Sequence, residues 1–240
     1  MSWLRLPFIA AEALGMHVAT TPPNPAAAST ELIHGSKGEI LLKRGRQFPN
    51  PFLKALFCFT SIAEATTIIA HHYRFSPIAS DILSVLGPSH NTGSPENISL
   101  NLWFLLGSLM VSFGGIIRFW CYRELGRFFT FELSLKKDHS LVTTGPYAIV
   151  RHPSYTAVVL TVFGALLRHV APGSWVRESG VLGTRTGAAL AAMWTCLSCA
   201  IVFGLISRVP YEDEMLEKEF GPRWTAWAHK VRYKMFPGIY

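Results

Sequence analysis

Thr186–Ser207 reads TGAALAAMWTCLSCAIVFGLIS, a run without one charged side chain. Wound as a helix, its roughly 22 residues reach about 33 Å, enough to cross the hydrocarbon core of a bilayer. A second run, Ile98–Ile117 (ISLNLWFLLGSLMVSFGGII), has the same character. A water-soluble domain can hide one such helix in its core, but two in 240 residues decide for the membrane. Composition agrees: half the residues are hydrophobic and only 15% are charged, against about 25% in an ordinary soluble domain. Mean hydropathy is positive, +0.28.

Further spans lie outward from these two. Pro51–His72 is moderately hydrophobic, with Lys54 at its start and Glu64 inside, where a buried carboxyl needs a hydrogen-bond partner. Pro153–Val170 is uncharged as far as Leu167, and a turn region at Ala171–Arg185 joins it to Thr186–Ser207 as a helical hairpin. Residues 1–20 carry one Arg and one Glu ahead of Pro22-Pro23-Asn24-Pro25. They read as a first membrane helix, with a re-entrant segment or a cleaved signal left open. Pro77, Gly87-Pro88 and Gly93-x-Pro95 mark residues 73–97 as loop. The expected fold is an all-α integral membrane protein of about 4–5 transmembrane helices. Residues 1–97 supply N-terminal membrane segments and loops, and 98–240 form the functional core.

The net charge of +7 and pI near 9.4 do not point to nucleic acid, since no reader motif accompanies them. The basic residues lie between the apolar spans. Lys and Arg number five in 36–54, one in 73–97, six in 118–153, three in 168–185 and six in 208–240. That alternation places the 118–153 loop and the C-terminal region on the cytoplasmic side together. Arg118–Asp138, basic and rich in phenylalanine, is expected at the membrane interface. Cys196-x-x-Cys199 has zinc-like spacing but sits in an apolar run without a second ligand pair, so it reads as small residues on a membrane helix, and no metal site or disulfide framework is expected. The sequon Asn97-Ile98-Ser99 abuts a span and is read as unused.

Two polar cassettes interrupt this pattern. The first is His139-Ser140-Leu141-Val142-Thr143-Thr144-Gly145-Pro146-Tyr147, running into Arg151-His152-Pro153-Ser154-Tyr155 at the head of an apolar span. Polar groups this close to lipid are costly and usually serve a site. In the second, Arg208 ends the last span and Glu212, Asp213 and Glu214 follow, Arg208 and Glu212 sharing a helix face at i,i+4. An aromatic tail comes after it (Phe220-Gly221-Pro222-Arg223-Trp224-x-x-Trp227), suited to lie on a membrane or cap a pocket. Dinucleotide, P-loop, nucleophile-elbow and zinc-protease signatures are absent from the sequence.

His139-x-Leu141-Val142-x-x-Gly145-Pro146-Tyr147-x-x-x-Arg151-His152-Pro153-x-Tyr155, a hairpin, then Arg208-x-x-x-Glu212-Asp213-x-x-Leu216-x-x-x-Phe220-Gly221 resembles the isoprenylcysteine carboxyl methyltransferase family over roughly residues 100–240. The resemblance implies an enzyme of the endoplasmic reticulum membrane with a cytoplasm-facing cofactor pocket. Such an enzyme methylates the C-terminal carboxylate of a prenylated cysteine with S-adenosyl-L-methionine. Carried over by position, the cofactor residues would be His139, Ser140, Leu141, Val142, Tyr147, His152, Pro153, Ser154, Tyr155 and Glu212. Arg208 would serve the substrate and the catalytic step. The chain departs from the family in having Glu212-Asp213 where two glutamates are usual, and Thr156-Ala157 where a glycine is common. Its ending, Val231-x-Tyr233-x-x-Phe236-Pro237-Gly238, also resembles the tail of NADPH-dependent sterol reductases.

The residue chemistry fits methyl transfer. A sulfonium donor calls for carboxylate and aromatic faces around its cation, and for NH groups at its amino-acid and adenine ends. An acceptor carboxylate is already ionised at neutral pH, so no general base is needed. Two other readings stand beside the main one: methylation of another membrane-resident acceptor, such as a phospholipid amine, and a non-catalytic scaffold. His139, Arg151, His152, Arg208 and Glu212 argue against the scaffold. Acceptor choice and oligomeric state are not legible in the sequence.

Overall fold

Prolines and short polar caps set where the helices begin. The Asn101 side chain accepts from Phe104 N at 2.8 Å, and the Thr184 hydroxyl accepts from Gly187 N at 3.0 Å. Proline opens helices at Pro77, Pro153 and Pro222, where its missing N–H is one the first turn leaves unpaired anyway. The computed structural model describes residues 2–28, 31, 49–87, 98–134 and 137–240. Asn97 and the basic residues between 36 and 48 lie outside these. The elements in chain order are α1 (Arg5–Thr20), α2 (Pro49–His72), α3 (Pro77–Leu86), α4 (Leu102–Leu125), α5 (Pro153–Val170), the short α6 (Trp175–Glu178), α7 (Arg185–Phe220) and α8 (Pro222–Lys230). Four of them, α2, α4, α5 and α7, are long and apolar enough to cross a membrane. Their outward faces carry large apolar side chains (Phe113, Ile116 and Phe119 on α4, Phe203 and Ile206 on α7). In water such a surface would be a liability, whereas lipid solvates it.

The molecule is organised around α4. It packs most closely against α5, and then against α1. Glycine makes both approaches possible. A Cβ on Gly114 would fall 2.4 Å from Thr161 Oγ1 and 2.7 Å from Ala157 O, and one on Gly107 would fall 2.7 Å from Gly164 O. On the other side, a Cβ on Gly115 would lie 2.4 Å from the Cα of Gly15. Lipid supplies no hydrophobic drive between helices, so close backbone packing through small residues holds them together.

Two expectations change. Residues 77–86, read as loop from their prolines and glycine, form α3, because Pro77 is an N1 proline rather than a breaker. Within residues 1–20, read as a first helix, lies the 16-residue α1, packed against α4 and α2. The interfacial stretch expected from Arg118 onward begins later, since α4 continues to Leu125 and Arg118 is buried. The apolar run ended at Ile117, but the helix did not, because its next turn finds partners inside the protein.

One cluster of buried charge lies at the end of the bundle formed by the start of α1 and the end of α5. Arg5 meets Glu64 at 2.6 Å. Arg168 meets Glu12 at 2.6 Å and Glu64 at 3.3 Å. Ser108 Oγ donates to Glu12 at 2.8 Å, and Arg5 donates to the carbonyls of Ser99 and Gly173 at 2.9 and 2.7 Å. Two cations and two anions thus neutralise one another across α1, α2 and α5. Arg168, counted from sequence with the basic residues flanking the spans, is a structural partner of this cluster, as is Arg5.

Candidate functional site

At the opposite end, the C-terminus of α4, the N-terminus of α5 and the outer part of α7 converge with the extended segment 139–144. α7 runs without a break past Pro210, which forgoes the hydrogen bond to the Ile206 carbonyl, and carries Glu212 and Asp213 beyond the span. Gly221 ends it at φ +50, a conformation costly for any side chain. Pro222 then opens α8, which folds back so that Trp224 and Trp227 are buried beside Cys121, Phe129 and Tyr147. Trp227 Nε1 donates to the Tyr147 carbonyl at 3.3 Å. The last residues fasten to the start of α5. Arg151 N donates to Tyr233 O at 3.0 Å and His152 N to Lys234 O at 2.7 Å, while Thr156 Oγ1 donates to Met235 O at 2.6 Å.

Within this frame the two cassettes meet. His152 Nε2 donates to Asp213 Oδ1 at 2.9 Å, and Arg151 binds the other Asp213 oxygen at 3.1 Å. Tyr155 OH donates to Glu212 Oε2, and Arg208 Nε approaches the same oxygen at 3.4 Å. His152 Nδ1 stands 4.0 Å from Glu212 Oε1. The His152 and Tyr155 rings stack at 5.4 Å, inclined by 13°, and the Arg208 guanidinium sits 5.8 Å from the Tyr155 ring. Arg208 NH1 also donates to the Phe131 carbonyl at 2.7 Å, tying α7 to the segment after α4. His139 stacks on Phe128 at 4.8 Å and meets Phe220 edge-on at 5.8 Å. Burial first, then the Cys121 thiol and the Glu212 carboxylate, push the Tyr147 phenol well above its ordinary range. It remains a neutral hydrogen-bonding group at physiological pH.

These groups wall a cavity of about 190 Å³. His139, Ser140, Leu141, Val142, Tyr147, His152, Ser154, Tyr155, Arg208 and Glu212 all line it. Pro153 does not; it is buried as the first residue of α5. The cavity has two ends of different character. Arg151, His152 and Glu212 face one, and Met16, Leu53, Ile201 and Leu205 face the other.

Two features were missed from sequence. Arg118 lies in the cavity wall, donating from NH1 to the Ser154 carbonyl at 3.0 Å and to its hydroxyl and from Nε to Tyr122 OH at 3.0 Å. Its guanidinium lies 4.8 Å from the Phe131 ring and 5.1 Å from Phe129. Continuing the helix one turn past Ile117 would have paired Arg118 with Tyr122 at i,i+4. Asp213 is the second: left out of the site residues, it is buried between Arg151 and His152.

Residues 106–174 match the model of the "Isoprenylcysteine carboxyl methyltransferase (ICMT) family". Over 203 residues, 78% of the chain and 91% of the relative, it is 24% identical to "Protein-S-isoprenylcysteine O-methyltransferase B" of Arabidopsis thaliana. It is 29% identical over 133 residues, 54% of the chain and 60% of the relative, to a "Probable protein-S-isoprenylcysteine O-methyltransferase" of Oryza sativa subsp. indica. A third relative, "Cobalt-zinc-cadmium resistance protein CzcN" of Cupriavidus metallidurans, is 27% identical over 130 residues, 54% of the chain and 47% of that protein. No solved structure gives a significant match. Four helices are long and apolar enough to cross a membrane, the matched residues 106–174 supply more than half of the side chains that line the cavity, and over them and the curated relatives the chain is similar to the isoprenylcysteine carboxyl methyltransferase family.

Proposed function

We propose that the protein transfers a methyl group from S-adenosyl-L-methionine to the C-terminal carboxylate of a prenylated cysteine, with the site facing the cytoplasm from the endoplasmic reticulum membrane. One observation carries this reading: a single cavity joins an ionic, aromatic mouth to an apolar arm between membrane helices. An acceptor with a carboxylate head and a lipid tail has that same division. When bound, S-adenosyl-L-methionine supplies an electrophilic methyl group on a sulfonium. The residues at the mouth fit such a group. Glu212, oriented by Tyr155 and Arg208, offers negative charge, the stacked His152 and Tyr155 rings offer π faces, and Ser140 to Val142 form an adjoining wall.

Arg208, in the cavity wall beside Glu212, would hold the acceptor carboxylate. The donor would supply the methyl group to a carboxylate oxygen, the electron pair of the broken S–C bond staying with sulfur. No proton moves, so His152 is assigned to positioning, held by Asp213. The protein's share of catalysis is alignment and removal of water from the nucleophile. A second reading keeps the donor pocket and changes the acceptor to another lipophilic molecule. The similarity to CzcN, whose name carries no prenylcysteine activity, is what favours it.

Purified protein given labelled S-adenosyl-L-methionine with either a farnesylated cysteine analogue or phosphatidylethanolamine decides between them. A base-labile methyl ester on the prenylcysteine is expected; label on the lipid amine would support the second reading, and NADPH binding with no donor binding would overturn both.

A further inference from the structure

The apolar arm ends at Trp194. This buried side chain lines the main cavity on one face and, on the other, a second apolar cavity of about 180 Å³ between α2, α5 and α7. Phe57, Leu166, Leu190 and Ala191 are among the walls of the second cavity. Trp194 is fixed in place. Its Nε1 donates to the Leu53 carbonyl at 3.2 Å, and its ring rests on His169 at 5.8 Å. His169 is itself bonded to the Ala165 carbonyl at 2.6 Å and to Thr60 Oγ1 at 2.9 Å. Along α7, Trp194 lies about 21 Å from Arg208 at a helical rise of 1.5 Å per residue. Leu205, Ile201 and Ser198 mark the turns between them on the cavity face.

We infer that Trp194 is the end wall of the acceptor's lipid site and sets the longest tail the enzyme accepts, the second cavity being the space a longer tail would enter if the wall were removed. The inference rests on the prenylcysteine reading above, with terminal isoprene units as the occupant. An anchored indole cannot swing aside without giving up its bond to Leu53 and its contact with His169. Trp194 therefore stands between the two cavities, and a tail that runs along α7 from Arg208 meets the indole before it reaches the second one. Beyond the indole the walls are apolar enough to receive further tail units.

The test compares wild type, Trp194→Phe, Trp194→Ala and Trp194→Ala with Ala191→Phe, using S-prenylcysteine carboxylates with ten-, fifteen- and twenty-carbon tails. Two quantities are read: kcat/KM for methyl transfer, and equilibrium binding of the same acceptors without donor. Trp194→Ala should raise the twenty- to fifteen-carbon ratio of kcat/KM on the order of tenfold, the scale on which apolar pockets discriminate length. Trp194→Phe, which keeps a ring, should stay near the wild-type ratio, and Ala191→Phe, which refills the second cavity, should abolish the gain. A gain for the longer tail cannot arise from misfolding. If the enzyme methylates these acceptors but the ratio is the same in all four proteins, Trp194 is not the wall. If none is methylated but binding shows the length shift, the wall stands and the reaction assigned above falls.

Discussion

At the scale of single residues, Glu212 and Asp213 are neighbours with different work. Asp213 is buried and is bound by Arg151 and His152; Glu212 is more exposed and faces the cavity. Removing the charge of a buried pair leaves its partners uncompensated, at a cost of about 3 kcal/mol or more. Asp213→Asn should therefore lower the thermal midpoint in detergent clearly. Glu212→Gln should keep the midpoint close to wild type and weaken donor binding in calorimetry; the reverse pattern would exchange the two roles. Arg208 bridges the Phe131 carbonyl and Glu212. Loss of its charge-assisted contact with an acceptor carboxylate should cost on the order of 1.5–3 kcal/mol, roughly ten- to hundred-fold in kcat/KM. Donor affinity should change little in Arg208→Ala. Equal losses of donor binding and turnover would make Arg208 an anchor of the pocket instead.

At the scale of elements, the closeness of α4 to α5 is what sets the cavity's shape. Gly164 meets Gly107 and Met110 of α4 within 2.7 Å of where its Cβ would be, so a larger residue there must part the two helices. Gly164→Leu should reduce the yield of folded protein in detergent sharply. Gly183→Ala, at a position with open space around it, should leave yield and midpoint near wild type. Comparable behaviour of the two variants in size-exclusion profiles would show that the α4–α5 approach is not limiting. The boundaries of α5 were legible from Pro153 and the uncharged run after it, because a proline start and apolar length are local properties. The existence of α3 was not. Pro77 can end one segment or begin the next, and the choice depends on whether the turn after it finds a packing surface elsewhere in the chain, as α3 does against α2.

At the scale of the whole molecule, ionic chemistry occupies both ends of the bundle and apolar packing separates them. The Arg5–Glu12–Glu64–Arg168 cluster balances its charges, so removing one member should hurt more than removing a matched pair. Arg168→Met should cost about 3–5 kcal/mol. Adding Glu12→Gln should recover part of that, a positive coupling measurable by a double-mutant cycle in chemical unfolding. Strict additivity would mean that the pair does not interact. The sequence alone determined that the chain lives in a membrane, where its long spans lie, and which two cassettes carry the polar chemistry. Those follow from runs of side chains, and the cost of charge in lipid makes such runs readable without a fold. Tertiary structure alone decided that Arg118 and Asp213 are buried partners of the site, that Arg5, Glu12, Glu64 and Arg168 neutralise one another, and that Trp194 divides two cavities. Each depends on how helices are rotated and how closely they cross, which small residues such as Gly107, Gly114 and Gly164 permit but do not by themselves specify.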